Sequence, residues 1–208
     1  MSEQKYYPKL YATREQMMSE VIRPGWNICE IGVFRGDFAL TLLRSLPAEL
    51  LLIDPWTPGI CSSGDADGNN VVDVDMDATF KSLPAALRVP PVCLARDYSQ
   101  NVLPIFPDGH FDMIYIDGDH SYQGAARDLE LAYVKTKMYG LICGHDYETN
   151  PLKTSNLYDF GVGAAVNHFL QRHPELSLDA KALDGCVSFA IQKRPARAPS
   201  SDMRPAVL

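Results

Sequence analysis

The sequence predicts an α/β fold built on a doubly wound, largely parallel β-sheet. Five apolar runs of strand length end in turn residues, and their apolar side chains occupy consecutive rather than alternating positions. This pattern is typical of strands that are covered on both faces. Helix-like segments separate the runs, and strands that alternate with helices of this length are joined by crossover connections. The five runs are residues 26–32, 49–55, 91–97, 111–117 and 140–146.

The helices and one further strand complete a Rossmann-like prediction. In the longest helical segment Ala126, Leu129, Ala132 and Val134 occupy much of one face, with charged residues mostly outside it. Ligands of such sheets lie beyond the carboxyl ends of the strands. The helical segments are 36–47, 75–87, 99–106, 121–138 and 160–173, and a last apolar run at 186–192 predicts a C-terminal antiparallel edge strand.

The length favours one domain, which we place at residues 1–193. A chain of 208 residues with 46% hydrophobic content can bury a single sizeable core. Within it we expect an N-terminal helical segment over residues 1–25 and a Gly- and Asp-rich, lid-like insertion over residues 57–77. The Pro, Ala and Ser content of residues 194–208 predicts a disordered tail.

Composition and charge limit the partners. A formal net charge of -7 without a long basic run argues against a nucleic-acid partner, because phosphate neutralisation requires clustered Lys and Arg. No apolar stretch reaches the ~20 residues that cross a bilayer, and residues 1–10 do not form a signal peptide, so we expect no membrane partner and a cytoplasmic location. A small-molecule partner fits better, and homo-oligomerisation stays open.

The first two predicted strands end in residues suited to a nucleoside cofactor. Glu30, Gly32 and Gly36 lie at a strand-to-helix turn, where glycine permits a tight bend and close approach of a ligand. Their G-x-x-x-G spacing lacks the dinucleotide fingerprint, which weakens a nicotinamide interpretation. Asp54, at the end of the second strand, can accept hydrogen bonds from the vicinal hydroxyls of a ribose. Together these motifs favour a nucleoside cofactor.

The ordered motifs "EIGVFRG", "LLIDPW", "ARDYSQ" and "FDMIYIDGDHSY" resemble those of class I S-adenosylmethionine-dependent methyltransferases. Residues 116–147 look more narrowly like the macrocin and mycinamicin type of small-molecule and sugar O-methyltransferases, and the resemblance covers roughly residues 27–170. It implies that Glu30, Gly32 and Gly36 line the methionine end of S-adenosyl-L-methionine. It further implies that Asp54 holds the ribose and that Asp97 and Tyr98 flank the adenine.

Two acidic and imidazole clusters predict a metal site. Asp117 ends the fourth strand, and His145 with Asp146 ends the fifth, so the three side chains meet if those strands are neighbours. Converging carboxylates suit a hard divalent cation, in first place Mg²⁺, which would orient an acceptor hydroxyl. Members of the resembled family carry an acidic pair where this chain has His145 and Asp146. Because imidazole is a softer ligand, His145 either binds another ion, acts through a water, or does not bind metal.

His120 follows Asp117 in a D-G-x-H turn, and by the resemblance it is the general base that removes the acceptor proton, with Asp117 as its catalytic partner. The alternative is that Asp119 caps the next helix while His120 is solvated. The leading hypothesis is an O-methyltransferase acting on a small-molecule hydroxyl, with a sugar or natural-product glycoside as first choice and a phenol as second. Its alternatives are a metal-independent methyltransferase with a phenolic acceptor, a nucleotide-dependent oxidoreductase, and a non-catalytic cofactor-binding subunit.

Overall fold

The computed structural model describes residues 7–57, 62–63, 72–148 and 161–196. The described strands are β1 (Lys9–Tyr11), β2 (Asn27–Ile31), β3 (Glu49–Ile53), β4 (Ser62–Ser63), β5 (Val72–Asp73), β6 (Val92–Ala95), β7 (Phe111–Ile116), β8 (Thr136–Glu148), β9 (Ala180–Ala182) and β10 (Val187–Gln192). The described α-helices are α1 (Arg14–Val21), α2 (Asp37–Leu43), α3 (Met76–Lys81), α4 (Ser99–Val102), α5 (Tyr122–Lys135) and α6 (Val162–Arg172). Short 3₁₀ turns at Ala85–Arg88 and Leu103–Ile105 follow α3 and α4.

Eight of these strands form one mixed sheet in the order β1-β9-β10-β8-β7-β2-β3-β6. Neighbouring strands from β8 to β6 are parallel, which confirms the predicted doubly wound α/β class. The C-terminal strand β10 is antiparallel to β8, as predicted, but it is not the predicted edge strand. Two short strands that the apolar pattern did not reveal extend the sheet beyond it: β9 pairs antiparallel with β10, and β1 pairs parallel with β9.

The order of the strands reverses between β2 and β7. From β2 the chain moves outward through β3 to β6, and then returns to β7 on the other side of β2. Ligands of open α/β sheets bind at such a reversal, beyond the carboxyl ends of the strands. The topology therefore points to the loops that follow Ile31 and Ile116.

Side chains of the central strands alternate between two cores, one on each face of the sheet. On β2, Ile28 packs with Phe38 and Leu42 of α2, whereas Cys29 and Ile31 pack on the face that also buries Leu129 and Phe169. Fully burying one such aliphatic side chain contributes about 1.5–3 kcal/mol, so covering both faces explains why the strands are apolar at consecutive positions.

The junction between α5 and β8 differs from the predicted one. The helix ends at Lys135, three residues before the predicted end, and β8 begins at the next residue. The Lys135 ammonium donates to Phe106 O (2.8 Å) and to Asp108 Oδ1 (2.7 Å), which ties the last turn to the segment before β7. Helix and strand are therefore joined without a loop.

The segments at the two ends of the predicted domain are only partly described. The predicted N-terminal helical segment contains the strand β1 and the eight-residue helix α1. Of the predicted insertion at 57–77, the structure shows the β4–β5 pair and the start of α3, while the rest lies outside the described residues. Arg194, at the start of the predicted tail, forms an ion pair with Asp179 (2.6 Å), and residues 197–208 lie outside the described part. None of the described helices is long and apolar enough to cross a membrane.

Candidate active site

The turn after β2 forms a narrow cradle at the reversal point of the sheet. Gly32 has φ +85°, and a Cβ atom at this position would lie 2.0 Å from the carbonyl oxygen of Asp117. Gly36, with φ +81°, is the N-cap of α2, and a Cβ atom there would lie 2.6 Å from Leu87 Cδ1. Only glycine meets both the positive φ and the close packing at Gly32. The loops after β2 and β7 therefore touch through their backbones.

Glu30 is buried beneath this cradle. Its side chain is 1% exposed, and its Oε2 atom has no hydrogen-bond partner among the described residues. Burial raises the pKa of the Glu30 carboxyl well above its ordinary value, and the nearby Asp117 carboxylate raises it further. An unpaired buried carboxyl oxygen is costly. Glu30 thus offers a polar group that a ligand in the cradle could satisfy.

Asp54 is bound to the backbone of the same turn. Its Oδ2 atom accepts hydrogen bonds from the N–H groups of Val33 and Phe34, both at 2.9 Å, and its Oδ1 atom accepts one from Trp56 N at 2.7 Å. A carboxylate offers about four acceptor positions, so three are taken by the protein. Asp54 fixes the shape of the β2–α2 turn and keeps one acceptor position for a ligand.

Asp97 and Tyr98 lie at the carboxyl end of β6, two strands away from β2. Asp97 Oδ1 accepts from Tyr98 N (2.7 Å) and from Asn101 Nδ2 (2.8 Å), and the bond from Asn101 followed by that from Tyr98 N lowers the pKa of Asp97. The next residue, Ser99, donates to the buried Asp128 of α5. The exposed Tyr98 side chain is therefore carried on a segment that is anchored to the neighbouring helix.

Three predicted site residues converge where β7 and β8 end. The Nε2 atom of His120 lies 3.4 Å from Asp117 Oδ1 and 3.4 Å from Asp146 Oδ2. One candidate ligand atom from each of these residues lies within 4.8 Å of the other two. The expectation that both clusters belong to one site agrees with this geometry, and His120 lies between the two carboxylates.

His145 lies at the edge of the same group. Its Nδ1 atom is 3.0 Å from Asp146 Oδ2 but 3.8 Å from Asp117 Oδ1, so it pairs chiefly with its neighbour. Asp146 adopts a left-handed backbone conformation with φ +59°, which is uncommon for a residue other than glycine. Such strain is frequent at functional sites. Here it accompanies a buried carboxylate that faces both histidines.

The histidines and carboxylates of the cluster stabilise each other's charged forms. For His120 burial opposes the charged form, but the Asp117 and Asp146 carboxylates outweigh it, so the pKa of His120 is raised. The pKa of His145 is raised for the same reasons. Burial also opposes the charged form of Asp146, but His145, His120 and the Cys186 thiol lower its pKa. An imidazole between two carboxylates can hold and release a proton.

The turn before α5 places His120. Ser121 is the N-cap and accepts a hydrogen bond from Gly124 N (3.1 Å), whereas Asp119 accepts from Ser121 N (2.9 Å). Ser121, rather than Asp119, therefore caps the helix, and the partly exposed His120 side chain faces Asp117 and Asp146. The His120 carbonyl also accepts a bond from Gly161 N (2.9 Å), which connects the turn to α6.

Arg14 of α1 is a member of the site that the sequence patterns missed. Its Nη1 atom donates to Asp117 Oδ2 at 3.2 Å, and its guanidinium carbon lies 4.4 Å from the centre of the Phe38 ring. The two paired residues are 103 positions apart, and no spacing rule relates a helix near the N-terminus to a strand end so distant in the chain. Beside them lies a cleft of about 360 Å³, lined by Arg14, Glu15, His145, Asp184, Gly185 and Cys186.

Comparison with known proteins identifies the family. Residues 29–147 match the family model described as a methyltransferase domain. The chain belongs to this methyltransferase family. The matched segment runs from β2 to the end of β8, so it contains both the glycine cradle and the cluster of Asp117, His120 and Asp146. The protein is an enzyme that depends on S-adenosyl-L-methionine.

Solved structures show the same fold at low sequence identity. An rRNA methylase from Streptococcus thermophilus is 9% identical, with a TM-score of 0.59 over 87% of this chain and 94% of that one. The O-methyltransferase TomG from Streptomyces achromogenes, involved in tomaymycin synthesis and solved with its methyl donor, is 15% identical, with a TM-score of 0.59 over 87% and 78%. An O-methyltransferase from Bacillus cereus in complex with S-adenosylhomocysteine is 16% identical, with a TM-score of 0.55 over 86% and 78%. No curated protein matches the sequence of this methyltransferase.

The residues at the reversal point fit the cofactor of the family. Gly32 lets the backbones after β2 and β7 approach each other closely at this point, and Glu30 supplies an unpaired buried oxygen beneath it. When bound, S-adenosyl-L-methionine supplies an electrophilic methyl group on a sulfonium. The individual contacts of Glu30, Gly32 and Gly36 with it remain predictions of the sequence motifs.

Proposed function

We propose that this methyltransferase transfers a methyl group to a hydroxyl of a small, hydroxyl-rich molecule, with His120 as the general base. The observation that carries the proposal is the position of His120 Nε2, 3.4 Å from both Asp117 and Asp146 at the sheet edge that adjoins the cofactor cradle. Methyl transfer is an in-line displacement, so most of the rate enhancement comes from positioning, and the residues must also take up the hydroxyl proton.

In this proposal the two carboxylates prepare His120 for its task. Asp117 and Asp146 stabilise the imidazolium that forms when His120 accepts the proton. The pKa of His120 is raised for the same reason. The base must be neutral before reaction, so activity should rise with pH through the His120 pKa. Asp117 is also joined to the cofactor cradle, because its backbone N–H donates to Ile31 O (2.7 Å). This bond holds the proton acceptor near the methyl donor.

A metal-loaded enzyme, with a divalent ion bound at the cluster, is the alternative form of the proposal. Asp117 and Asp146 supply carboxylate oxygens, and the convergence of donor atoms favours His120 over His145 as the third ligand. Two carboxylates and an imidazole suit Mg²⁺ less than a softer divalent ion such as Mn²⁺. A ligated His120 cannot accept a proton, so in the metal-loaded enzyme His145 would take the role of base. Removal of the ion distinguishes the two forms.

We further propose that the cofactor is held as the motifs predict. Glu30, Gly32 and Gly36 would line its methionine end, the remaining acceptor position of Asp54 would bind a ribose hydroxyl, and Asp97 with Tyr98 would flank the adenine. The arrangement supports this assignment, because these residues follow β2, β3 and β6, which are consecutive in the sheet. Residues 1–193 would then form one domain, since strands from Lys9 to Gln192 contribute to a single sheet.

The cleft beside the cluster supports a hydroxyl-rich acceptor. Its described lining combines the cation of Arg14 with the carboxylates of Glu15 and Asp184, and it contains no Phe, Tyr or Trp side chain. Donors and acceptors in alternation suit a sugar or glycoside, whereas a phenol would favour an apolar wall. The similarity to an rRNA methylase raises RNA as another acceptor. A formal net charge of -7 opposes binding to a phosphate backbone.

The test begins with calorimetric titration of S-adenosylhomocysteine into wild type and Asp54→Ala. Binding in the micromolar range that is weakened in the variant supports the cofactor assignment. Release of S-adenosylhomocysteine is then measured with methyl glycosides, catechol and a short RNA as acceptors, with and without EDTA. Transfer to a glycoside that is lost in His120→Ala supports the proposal, and undiminished transfer in that variant contradicts it.

Chelation decides the role of the metal. Activity that disappears with EDTA and returns with Mn²⁺ or Mg²⁺ supports the metal-loaded form. Full activity with EDTA supports direct catalysis by His120. The matched control for the His120→Ala variant is His168→Ala, because His168 forms a hydrogen bond with the Tyr122 hydroxyl (3.0 Å) and is not a member of the cluster.

A further inference from the structure

Arg14 approaches the cluster from outside the segment that matches the family model. It lies on α1, and residues 29–147 make up the match. Its side chain is 23% exposed, and its guanidinium packs over Phe38 of α2 while Nη1 donates to Asp117 Oδ2. An arginine held by both a ring and a carboxylate has a defined orientation. Arg14 therefore acts on a single oxygen of Asp117.

The two oxygens of Asp117 serve different partners. Oδ2 is bound by Arg14, while Oδ1 faces His120 Nε2 at 3.4 Å and His145 Nδ1 at 3.8 Å. A carboxylate rotates about its χ2 bond with little hindrance, so a fixed partner on one oxygen determines where the other oxygen points. The guanidinium thereby keeps Oδ1 directed at the histidines.

The backbone of Arg14 is anchored independently of its side chain. Arg14 N donates to Asp184 Oδ2 at 2.9 Å, in the turn between β9 and β10. The N-cap bond from Gln16 N to Thr13 Oγ1 and the ion pair of Lys9 with Glu20 (2.6 Å) also hold α1 in place. A change of the Arg14 side chain should therefore leave the helix docked. This separation makes the role of the guanidinium measurable.

We propose that Arg14 is a positioning residue of the active site, which orients Asp117 Oδ1 toward His120 by binding Oδ2. The inference rests on the proposed function in assigning a catalytic role to His120, but the orientation itself is a property of the protein alone. It holds whether Oδ1 pairs with an imidazole or ligates a metal, because carboxylate ligands are commonly oriented by a hydrogen bond to their other oxygen.

The first measurement needs no acceptor. Protein labelled with ¹⁵N-histidine is observed by imidazole NMR at one pH in the presence of EDTA, for wild type, Arg14→Ala, Arg14→Lys and Lys9→Ala. The sequence contains five histidines. We expect Arg14→Ala to shift the signals of His120 and His145 and to leave those of His110, His168 and His173 in place. Lys9→Ala, which removes the ion pair of α1 with no contact to Asp117, should shift none of them.

The second measurement uses the glycoside or phenol that wild type methylates best. Arg14→Ala should lower kcat by about 10- to 100-fold while the affinity for S-adenosylhomocysteine changes less than two-fold, and Arg14→Lys should recover part of the loss because it keeps the charge without the planar fork. A merely structural role would instead lower cofactor affinity and stability together.

The outcomes separate the two proposals. If the His120 and His145 signals of Arg14→Ala coincide with those of wild type, the inference about Arg14 is wrong, whatever the enzyme methylates. If these signals shift but wild type transfers methyl to no acceptor, the proposed function fails and the positioning role stands. Should Arg14→Ala fail to fold, Arg14→Lys and Arg14→Gln decide the question by the same spectra.

Discussion

Asp54 and Asp117 follow parallel strands of the same sheet, yet their surroundings differ. Asp54 receives three hydrogen bonds from backbone N–H groups within its own region. Asp117 faces side chains instead: an arginine from α1 and histidines that follow β7 and end β8. One carboxylate shapes a turn, and the other faces charged and titratable groups from α1, from its own turn and from β8. A strand-end aspartate therefore acquires its role from its partners.

Neutralising each carboxylate in turn tests this difference between Asp54 and Asp117 most directly. Asp117→Asn should lower activity by about 10²- to 10⁴-fold, because it removes the charge that stabilises the protonated base. It should change the free energy of unfolding by about 1 kcal/mol or less, as expected for a partly exposed ion pair. Initial rates and urea unfolding of the same preparations check both values.

Asp54→Asn should show the opposite balance. Its amide cannot accept from all three N–H groups, so we expect a loss of about 2 kcal/mol of unfolding free energy. A smaller stability loss for Asp54→Asn than for Asp117→Asn would contradict the division between a structural and a chemical carboxylate.

The contact between the two loops can be tested at Gly32. Gly32→Ala would place a methyl group 2.0 Å from the Asp117 carbonyl oxygen, so we expect a loss of about 3 kcal/mol or more in unfolding free energy, together with loss of S-adenosylhomocysteine binding. Gly25→Ala is the matched control, because Gly25 has nearly the same φ, +83°, and nothing within 4 Å of an added Cβ. Its cost should be about 1 kcal/mol, from backbone strain alone. Equal losses in both variants would mean that the loops are not in contact.

The free energy of unfolding should depend on pH through the titratable groups of the cluster around Asp117. The raised pKa of His145 means that its stabilising contribution is complete below the unfolded-state pKa of about 6.5 and is lost as pH rises through the folded-state value. The lowered pKa of Asp146 gives a contribution that is present above about pH 3.9 and is lost as pH falls through the folded-state value.

The stability advantage of wild type over His145→Gln should therefore be largest near pH 5–6 and smallest near pH 9. Urea unfolding at a series of pH values, with EDTA present, measures this difference. His168→Gln corrects for the general effect of the substitution. A stability advantage that grows with pH would show that folding lowers the pKa of His145 instead of raising it.

The smallest effect is expected at the exposed end of β6. Asp97→Ala removes the acceptor for Tyr98 N and Asn101 Nδ2, and so loosens the segment proposed to flank the adenine. One hydrogen bond of about 1 kcal/mol corresponds to a roughly five-fold weaker affinity for S-adenosylhomocysteine. Calorimetry measures this change, and Asn101→Ala should reproduce part of it. Unchanged affinity in both variants would remove Asp97 and Tyr98 from the proposed cofactor site.

Apolar runs bounded by turn residues were enough to predict the parallel strands β2, β3, β6, β7 and β8. Such runs report burial on both faces, which holds for Leu50 and Ile114 whatever lies at the ends of the sheet. Strands β1 and β9 escaped prediction because each has only three residues, with the exposed Lys9 and Leu10 in β1 and the half-buried Lys181 between two alanines in β9. The predicted end of α5 was three residues too late, because the contacts of Lys135 with Phe106 and Asp108 that mark the last turn leave no signal in the helical pattern.

The candidate site likewise contains some residues that the sequence predicted and others that it did not. Asp117, His120 and Asp146 could be predicted because each follows a predicted strand, and the topology brings those strand ends together. Arg14 could not be predicted, because the place of α1 depends on the pairing of β1 with β9. Short pairings of this kind leave almost no periodic signal in the sequence.

The hydrogen bond between Arg14 N and Asp184 joins residues that are 170 positions apart. Strand β1, which precedes α1, pairs with β9, and β9 is held in the sheet by β10. The helix that carries Arg14 precedes β9 and β10 in the chain, so the β1–β9 pairing and the bond to Asp184 can form only once those later strands are present. The rest of the sheet can assemble earlier around β2, β3, β6 and β7. The place of Arg14 beside Asp117 therefore depends on contacts between two parts of the chain that are far apart in sequence.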